Sequence, residues 1–292
     1  DVVDLALAVD EDDRVARHAA APPRRRRRPK VSRLELHVPD EALDGAQLAA
    51  RVVDDVLALP IPLNSKEGFV RQVLGWREFV HHVHEATDGL RKDVDKVLER
   101  DQDEAPNHLG ATATLPPAFW GTVPSGFACL DQAVSEVWDH AYTHHINRLM
   151  VLSNWATLLG LSPRELTDWF WVGFEDAYDW VVEPNVLGMG TYATGDLMVT
   201  KPYVSGSAYI HRMSDYCEGC RFSPKGTCPM PSLYWQFLER HEETLRSNQR
   251  LGIMMGALRK RSQEAKQADL ACYERVSDHL QRGVEVRPEL LS

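Results

Sequence analysis

Residues 130–180 read LDQAVSEVWDHAYTHHINRLMVLSNWATLLGLSPRELTDWFWVGFEDAYDW. Apolar residues recur there at steps of three and four, the signature of helices with one buried face. Leu130 to Leu159 reads as one long helix, ended by Gly160, a residue free to adopt the left-handed turn that closes a helix. Ser162-Pro163 then places a capping hydroxyl before a proline at the first helical position, opening a second helix that carries Trp169, Trp171 and Trp180.

The same period extends outward in both directions. Upstream, Val52, Val53, Val56 and Leu57, then Phe69, Val73, Trp76, Val80 and Val83, recur at helical spacing. Asn64 or Ser65 caps a helix that runs through Trp76 to about Ala86, where Asp88-Gly89 stops it. Downstream, Ser232 to about Leu280 is helical again, with Leu233, Phe237, His241 and Leu245 on one face. Pro106, Gly110, Pro116, Pro117, Gly121 and Pro124 make residues 101–125 an irregular connection, and the glycines and prolines of residues 184–207 read as loop. Strand alternation and internal repeats are not evident, so the expected fold class is all-α, with an irregular segment or linker over residues 1–45 and one helical domain over 46–292.

Composition narrows the function classes. Apolar residues make up 43% and charged residues 26% of 292, which excludes a wholly disordered or collagen-like chain. No apolar run reaches the roughly 18 residues of a membrane helix, and no signal-peptide pattern opens the sequence, so a cytoplasmic protein without membrane contact is expected. The formal charge of −10 (33 basic against 43 acidic) provides no general basic field, so nucleic-acid contact would have to rest on a local patch. The run Arg24 to Arg28 reads as a solvated linker or, alternatively, as a nucleic-acid-binding arm.

Five cysteines are too few for a disulfide scaffold, and they are unevenly placed. Cys217-Glu218-Gly219-Cys220 is followed by Cys228-Pro229, with Cys129 far upstream. Four thiolates suffice for one metal centre. One close pair, one follower and one distant cysteine suit an iron-sulfur cluster, while zinc usually takes two close pairs; spacing alone leaves cluster, zinc or unrelated buried thiols open. Cys272 stands outside the set.

Two histidine groups also carry ligand or proton chemistry. His144-His145 precedes Arg148 at helical spacing, either a site or an ion-pair network. His81, His82, His84 and Glu85 have metal-compatible helical spacing, but no fourth ligand is evident and a solvated face is the simpler reading. Trp169, Phe170, Trp171, Phe174, Tyr178 and Trp180 are core packing or an electron-hopping chain. Glycine-rich phosphate loops are missing, so a nucleotide cofactor would have to be held in another way.

Glu67-Gly68-Phe69-Val70-Arg71-Gln72-Val73-Leu74-Gly75-Trp76-Arg77-Glu78-Phe79 resembles the segment of the photolyase/cryptochrome superfamily in which Trp-Arg-Glu-Phe lies beside the DNA lesion. Tyr142-Thr143-His144-His145-Ile146-Asn147-Arg148, Trp169-Phe170-Trp171, Pro184-Asn185-Val186-Leu187-Gly188-Met189-Gly190, Lys201-Pro202-Tyr203 and the four cysteines narrow the resemblance to the iron-sulfur bacterial branch, the prokaryotic (6-4) photolyases. It covers about residues 46 to 292.

The resemblance implies a helical domain that holds FAD and a [4Fe-4S] cluster and takes a pyrimidine dimer flipped out of damaged DNA. It makes Cys129, Cys217, Cys220 and Cys228 the cluster ligands. His145 takes the position of the histidine acid, with His144 beside it and Tyr203 facing the lesion. Arg148 and Asp176 pair beside the flavin ring; Asn185 and either Val182 or Glu183 also lie on the flavin side, one of the latter two facing N5. Trp76, Arg77 and Lys201 fall on the DNA side. Trp169 and Tyr209, with Trp120 as a weaker member, resemble the route that re-reduces flavin.

The superfamily's α/β antenna domain is not legible before residue 46, so the chain is expected to be the catalytic lobe alone, with an antenna chromophore only if that domain is present. Its Ser/Thr-rich phosphate segment is also not found in residues 1 to 50, where Val31-Ser32-Arg33-Leu34 is at best a remnant. The expected function is light-driven lyase repair of (6-4) photoproducts by a monomer. The competing readings are a blue-light photoreceptor and a non-catalytic iron-sulfur DNA-binding module.

Overall fold

The computed structural model describes residues 45–91 and 106–291. The arginine run, the Val31 to Leu34 segment and nearly all of the expected linker lie outside the described residues. The chain divides into two compact units at Phe79/Val80.

In the first unit, α1 (Gly45–Ala58) and α2 (Leu63–Arg71) are followed by a π-helical turn, Gln72–Arg77. Val56 and Val73 are buried here. Pro62, not Asn64 or Ser65, caps α2: its ψ of 146° turns the chain in without a side-chain bond. Trp76 packs edge-on against Phe79 at 6.2 Å, and Arg77 pairs with Glu78.

The second unit begins within α3 (Glu78–Thr87), which ends as expected where Asp88 and Gly89 both take positive φ. Among the described residues 106–127 there is a 3-10 turn at Pro117–Trp120, and α4 (Ala128–His140), α5 (His145–Asn147), α6 (Asn154–Leu159), α7 (Pro163–Gly173) and α8 (Asp179–Glu183) follow. Then follow α9 (Ser207–Met213), α10 (Met230–Arg240), α11 (Glu242–Leu245), α12 (Gly252–Arg259) and α13 (Gln263–Gln281). Among the described residues the only β pairing is an isolated bridge, Ala113 to Leu161. The fold is all-α.

The core is aromatic at its centre: Trp155, Trp169, Phe119, Phe127, Phe222 and Phe237 are fully buried. Leu233, Phe237, His241 and Leu245 are all buried, as their spacing predicts. Ser162 caps α7 through the Glu165 amide at 3.3 Å, also as predicted.

Two further expectations fail. Leu130 to Leu159 is not one helix, because α4 ends at Ala141, an alanine in the left-handed region (φ 51°), and the chain stays non-helical to His144. A non-glycine residue there costs about 1–2 kcal/mol. It is offset by the bond from the Glu175 amide to the Ala141 carbonyl (3.0 Å) and by burial of Thr143. Nor is Pro184–Ser207 all loop, since Pro184–Gly190 is a π-helical turn continuing α8. Another π-turn, Arg148–Ser153, joins α5 to α6. The two turns meet where Gly190 leaves no space for a Cβ, which would lie 2.7 Å from Ser153 Oγ. Single π-turns inside helices are frequent at functional sites because they re-aim side chains.

Candidate functional site

Three pieces of chain bring four cysteines to one small cavity. Cys129 lies in the first turn of α4, whose entry is fixed by Asp131 accepting bonds from the Ser125 and Gly126 amides (2.7 and 3.2 Å). Cys217 and Cys220 lie in the turn after α9. Cys228 shortly precedes α10, its amide bonded to the Ser223 carbonyl at 3.0 Å. Phe127, Trp155, Phe222, Ile210 and Met230 make the surrounding wall apolar. Phe127 stacks on Trp155 at 4.5 Å and meets Phe222 at 4.9 Å.

The polar groups at the wall point donors at sulfur. Trp155 Nε1 donates to Cys129 Sγ and the Phe222 amide to Cys220 Sγ, both at 3.5 Å. Burial pushes the Cys129 and Cys228 thiols up to about 12, and each neighbouring cysteine adds to the rise. Cys217 is raised for the same reasons. A cationic centre would reverse that balance, since it holds thiolates directly. Among the described residues, no three of the four sulfurs lie within 4.8 Å of one another. Tetrahedral zinc at about 2.3 Å from each sulfur requires neighbouring sulfurs roughly 3.8 Å apart; the quartet is wider than a single ion needs. Cys272 lies elsewhere, on α13 beside Ser232.

A hydrogen-bonded network at the break after α4 adjoins this cavity. Tyr216, which lines the cavity, lies beside Asn147. Asn147 Nδ2 donates to Thr143 Oγ1 (2.9 Å) and Glu136 Oε2 (3.3 Å), and Thr143 Oγ1 also donates to Glu136. Arg148, the next residue, donates through Nε to the Thr143 carbonyl (2.8 Å) and through both terminal nitrogens to Asp176 (2.8 and 2.9 Å). Its guanidinium lies over the rings of Phe174 (4.2 Å) and Tyr142 (4.9 Å). The structure thus makes the expected Arg148–Asp176 pair. Asp176 is 45% exposed, so its own carboxylate stays solvated when the pair is broken, whereas the Arg148 side chain, 18% exposed, loses its charge partner.

The histidines differ in environment. His144 caps α5, its Nδ1 accepting from the Ile146 amide at 3.2 Å, which leaves the proton of the neutral ring on Nε2. His145 is the first helical residue. Burial, then the nearby Arg148 cation and His144, push its pKa down to about 4. The proximity to Arg148 that selects His145 in the sequence therefore disfavours its charged form.

Trp169 is fully buried, donating to the Phe119 carbonyl at 2.9 Å. Its ring meets Phe174 at 5.9 Å and Trp138 at 6.1 Å, and Trp138 stacks on exposed Trp120 at 6.0 Å. A continuous aromatic row thus runs from the surface to the ring beneath Arg148. Tyr209 stands apart on α9, with Arg212 over its ring at 5.7 Å. Val182 and Glu183 are both buried; Glu183 faces His84 (3.3 Å) and Arg91 (3.7 Å), and burial raises its pKa. Asn185, half-buried, donates to the Val181 carbonyl at 2.7 Å. Tyr203 is half-buried and Lys201 exposed on the chain entering α9. Trp76 and Arg77 belong to the first unit.

Over 216 residues, 72% of its length, the chain is 38% identical to the (6-4) photolyase of Agrobacterium fabrum. The chain belongs to the photolyase family. It spans 39% of that relative's length. The photolyase-family chain is also 38% identical, over 66 residues, to an uncharacterized protein, R855, of Acanthamoeba polyphaga mimivirus, covering 23% of the chain and 54% of that protein. No family model matches the chain.

Several residues of this arrangement lie outside the sequence expectations. Trp138 is one apolar position among many in an expected long helix, although a tryptophan near a helix end is a signal for exposure. Tyr216 and Glu136 become meaningful only once the chain has brought α4, α5 and the cysteine turn together.

Proposed function

We propose that the chain is the FAD- and [4Fe-4S]-bearing helical part of a light-driven lyase that repairs (6-4) pyrimidine photoproducts in DNA. The observation that carries this reading is the convergence of Cys129, Cys217, Cys220 and Cys228 on one apolar cavity with their sulfurs spread wider than a single ion needs. A cubane, whose irons occupy four corners, suits such a spread. Donors aimed at sulfur and aromatic walls that exclude water are the surroundings that hold and tune such a cluster.

For FAD, support comes from the donor set around the π-turns. Arg148, locked by Asp176 and by the Thr143 carbonyl, fixes a cation beside a half-exposed carboxylate edge, and Asn185 and Val182 stand on the adjoining turn and helix. When bound, the reduced flavin supplies the photoexcited electron. The residues do the remainder. Arg148 orients and balances charge, and the row Trp120, Trp138, Trp169 offers a path for returning electrons from solvent, with Tyr209 proposed as a further donor. Tyr203 and Lys201 would face DNA, as would Trp76 and Arg77.

His145 is the proposed acid, with His144 supporting it through a tautomer already fixed at Nδ1. Because burial and Arg148 hold His145 neutral, it takes a proton only where negative charge accumulates against it, as at an anionic cofactor or lesion. The experiment is an absorption spectrum of anaerobically purified protein together with illumination of a (6-4)-containing oligonucleotide. Flavin and cluster absorbance with restored thymines is the expected result. Bound chromophores without repair, in the chain joined to its full-length context, would contradict the lyase reading.

A further inference from the structure

We propose that α3 carries a separate site for a divalent transition-metal ion, formed by one imidazole nitrogen each of His81 and His82 and a carboxylate oxygen of Glu85. These three are the one group of histidine, cysteine and carboxylate ligand atoms, among the described residues, that all lie within 4.8 Å of one another. Nδ1 of His81 is 3.8 Å and Nδ1 of His82 is 3.9 Å from the same oxygen, Glu85 Oε2. Both separations exceed the roughly 2.7–3.2 Å of a hydrogen bond. Two imidazoles therefore surround one carboxylate oxygen without bonding to it, leaving a gap of the size a cation bridges.

The helix makes the arrangement. Glu85 follows His81 by four residues and His82 by three, so both pairs lie one above the other across a turn. His81 is set by Trp180, edge to face at 5.5 Å, and is thus already oriented, whereas His82 and Glu85 are largely exposed. Closing to the usual distances of about 2.0–2.2 Å from each ligand needs only rotation of these two exposed side chains. His84 takes no part, being turned toward Glu183.

Two imidazoles and one carboxylate select ions such as zinc, nickel or copper, and disfavour calcium and magnesium, which want oxygen alone. Three protein ligands leave the remaining positions to water. The site is independent of the cysteine cavity and of the flavin reading, and would fasten α3 at the point where it meets Trp180.

Calorimetric titration of zinc into the wild-type chain, cluster loaded, tests this against His82→Ala, Glu85→Gln and a control, His279→Gln, in the exposed part of α13. The wild type and control should bind one more zinc than His82→Ala, or bind it with affinity higher by about tenfold or more, with Glu85→Gln similarly weakened. Zinc taken up by uncoordinated cysteines is common to all four proteins and drops out of the difference, so failure of the cluster reading does not mask the result. Superimposable titrations of wild type and His82→Ala would overturn the proposal, as would calcium displacing the bound zinc at comparable concentration.

Discussion

The cysteine cavity and the Arg148 segment are neighbours, yet they are built on opposite principles. The cavity is apolar, and its four cysteines come from three separate pieces of chain. The Arg148 segment is polar and self-satisfied: the guanidinium has an acceptor for each of three nitrogens and two rings beneath it. It is assembled where the backbone departs from the α-helix, at Ala141 and in the turn Arg148–Ser153. The difference teaches that a site can be kept in readiness by its own bonds or left to be completed by its occupant, and removal of a side chain should cost differently in each.

The largest loss is expected for Cys129→Ser. On the proposed cluster reading it removes a ligand that would tie α4 to the turn after α9, closing a loop from residue 129 to 217. Loop-closure entropy alone puts that tie at roughly 4.6 kcal/mol. Iron and sulfide content should fall with it, and urea unfolding should show the loss; Cys272→Ser should change neither. Zinc, or about two irons per chain in the wild type, would break the comparison by removing the cubane.

Arg148→Ala comes next, at about 2–3 kcal/mol, because it deletes the charge-assisted bonds and the cation's packing on two rings in one step. Asp176→Asn should cost less than about 1 kcal/mol because water screens its exposed carboxylate. Equal costs for the two, measured by chemical denaturation, would mean that the pair is buried after all.

Acid should act through the buried histidines. His145 and His241 are both lowered to about 4 from 6.5, burial being the main cause. The unfolded chain binds their protons first, so their contribution to stability is full above about pH 6.5 and is lost as pH falls toward 4. Melting temperature should drop across that window, and the drop should flatten in the double variant His145→Gln/His241→Gln. The smallest structural effect is expected from Trp138→Phe, which leaves the fold intact but should slow flavin photoreduction severalfold; an unchanged rate would remove the Trp120–Trp138–Trp169 row from the route.

How much can be read from residues alone follows the same division. The cysteine set is legible because thiols are rare and the family motifs name them, and Ser162-Pro163 and Asp88-Gly89 announce helix ends through side-chain and backbone chemistry. The break at Ala141 is not legible. No glycine or proline marks it, and its stabilisation comes from Glu175 and Thr143, partners fixed by tertiary structure. The π-turns are equally hidden, since an extra residue per turn leaves apolar spacing nearly unchanged over six or seven residues. The pairing of Asp176 with Arg148 can be read from a motif, whereas the solvent access that weakens it cannot.

Tyr216 lines the cavity and lies beside Asn147, which makes the two regions neighbours. An occupant of the cavity that shifts Tyr216 also shifts the balance among Asn147, Thr143 and Glu136, and with it the carbonyl that Arg148 grips. Linkage makes that influence mutual: whatever free energy the cavity's occupant adds to the grip on Arg148, a ligand drawn to Arg148 returns in full to the cavity.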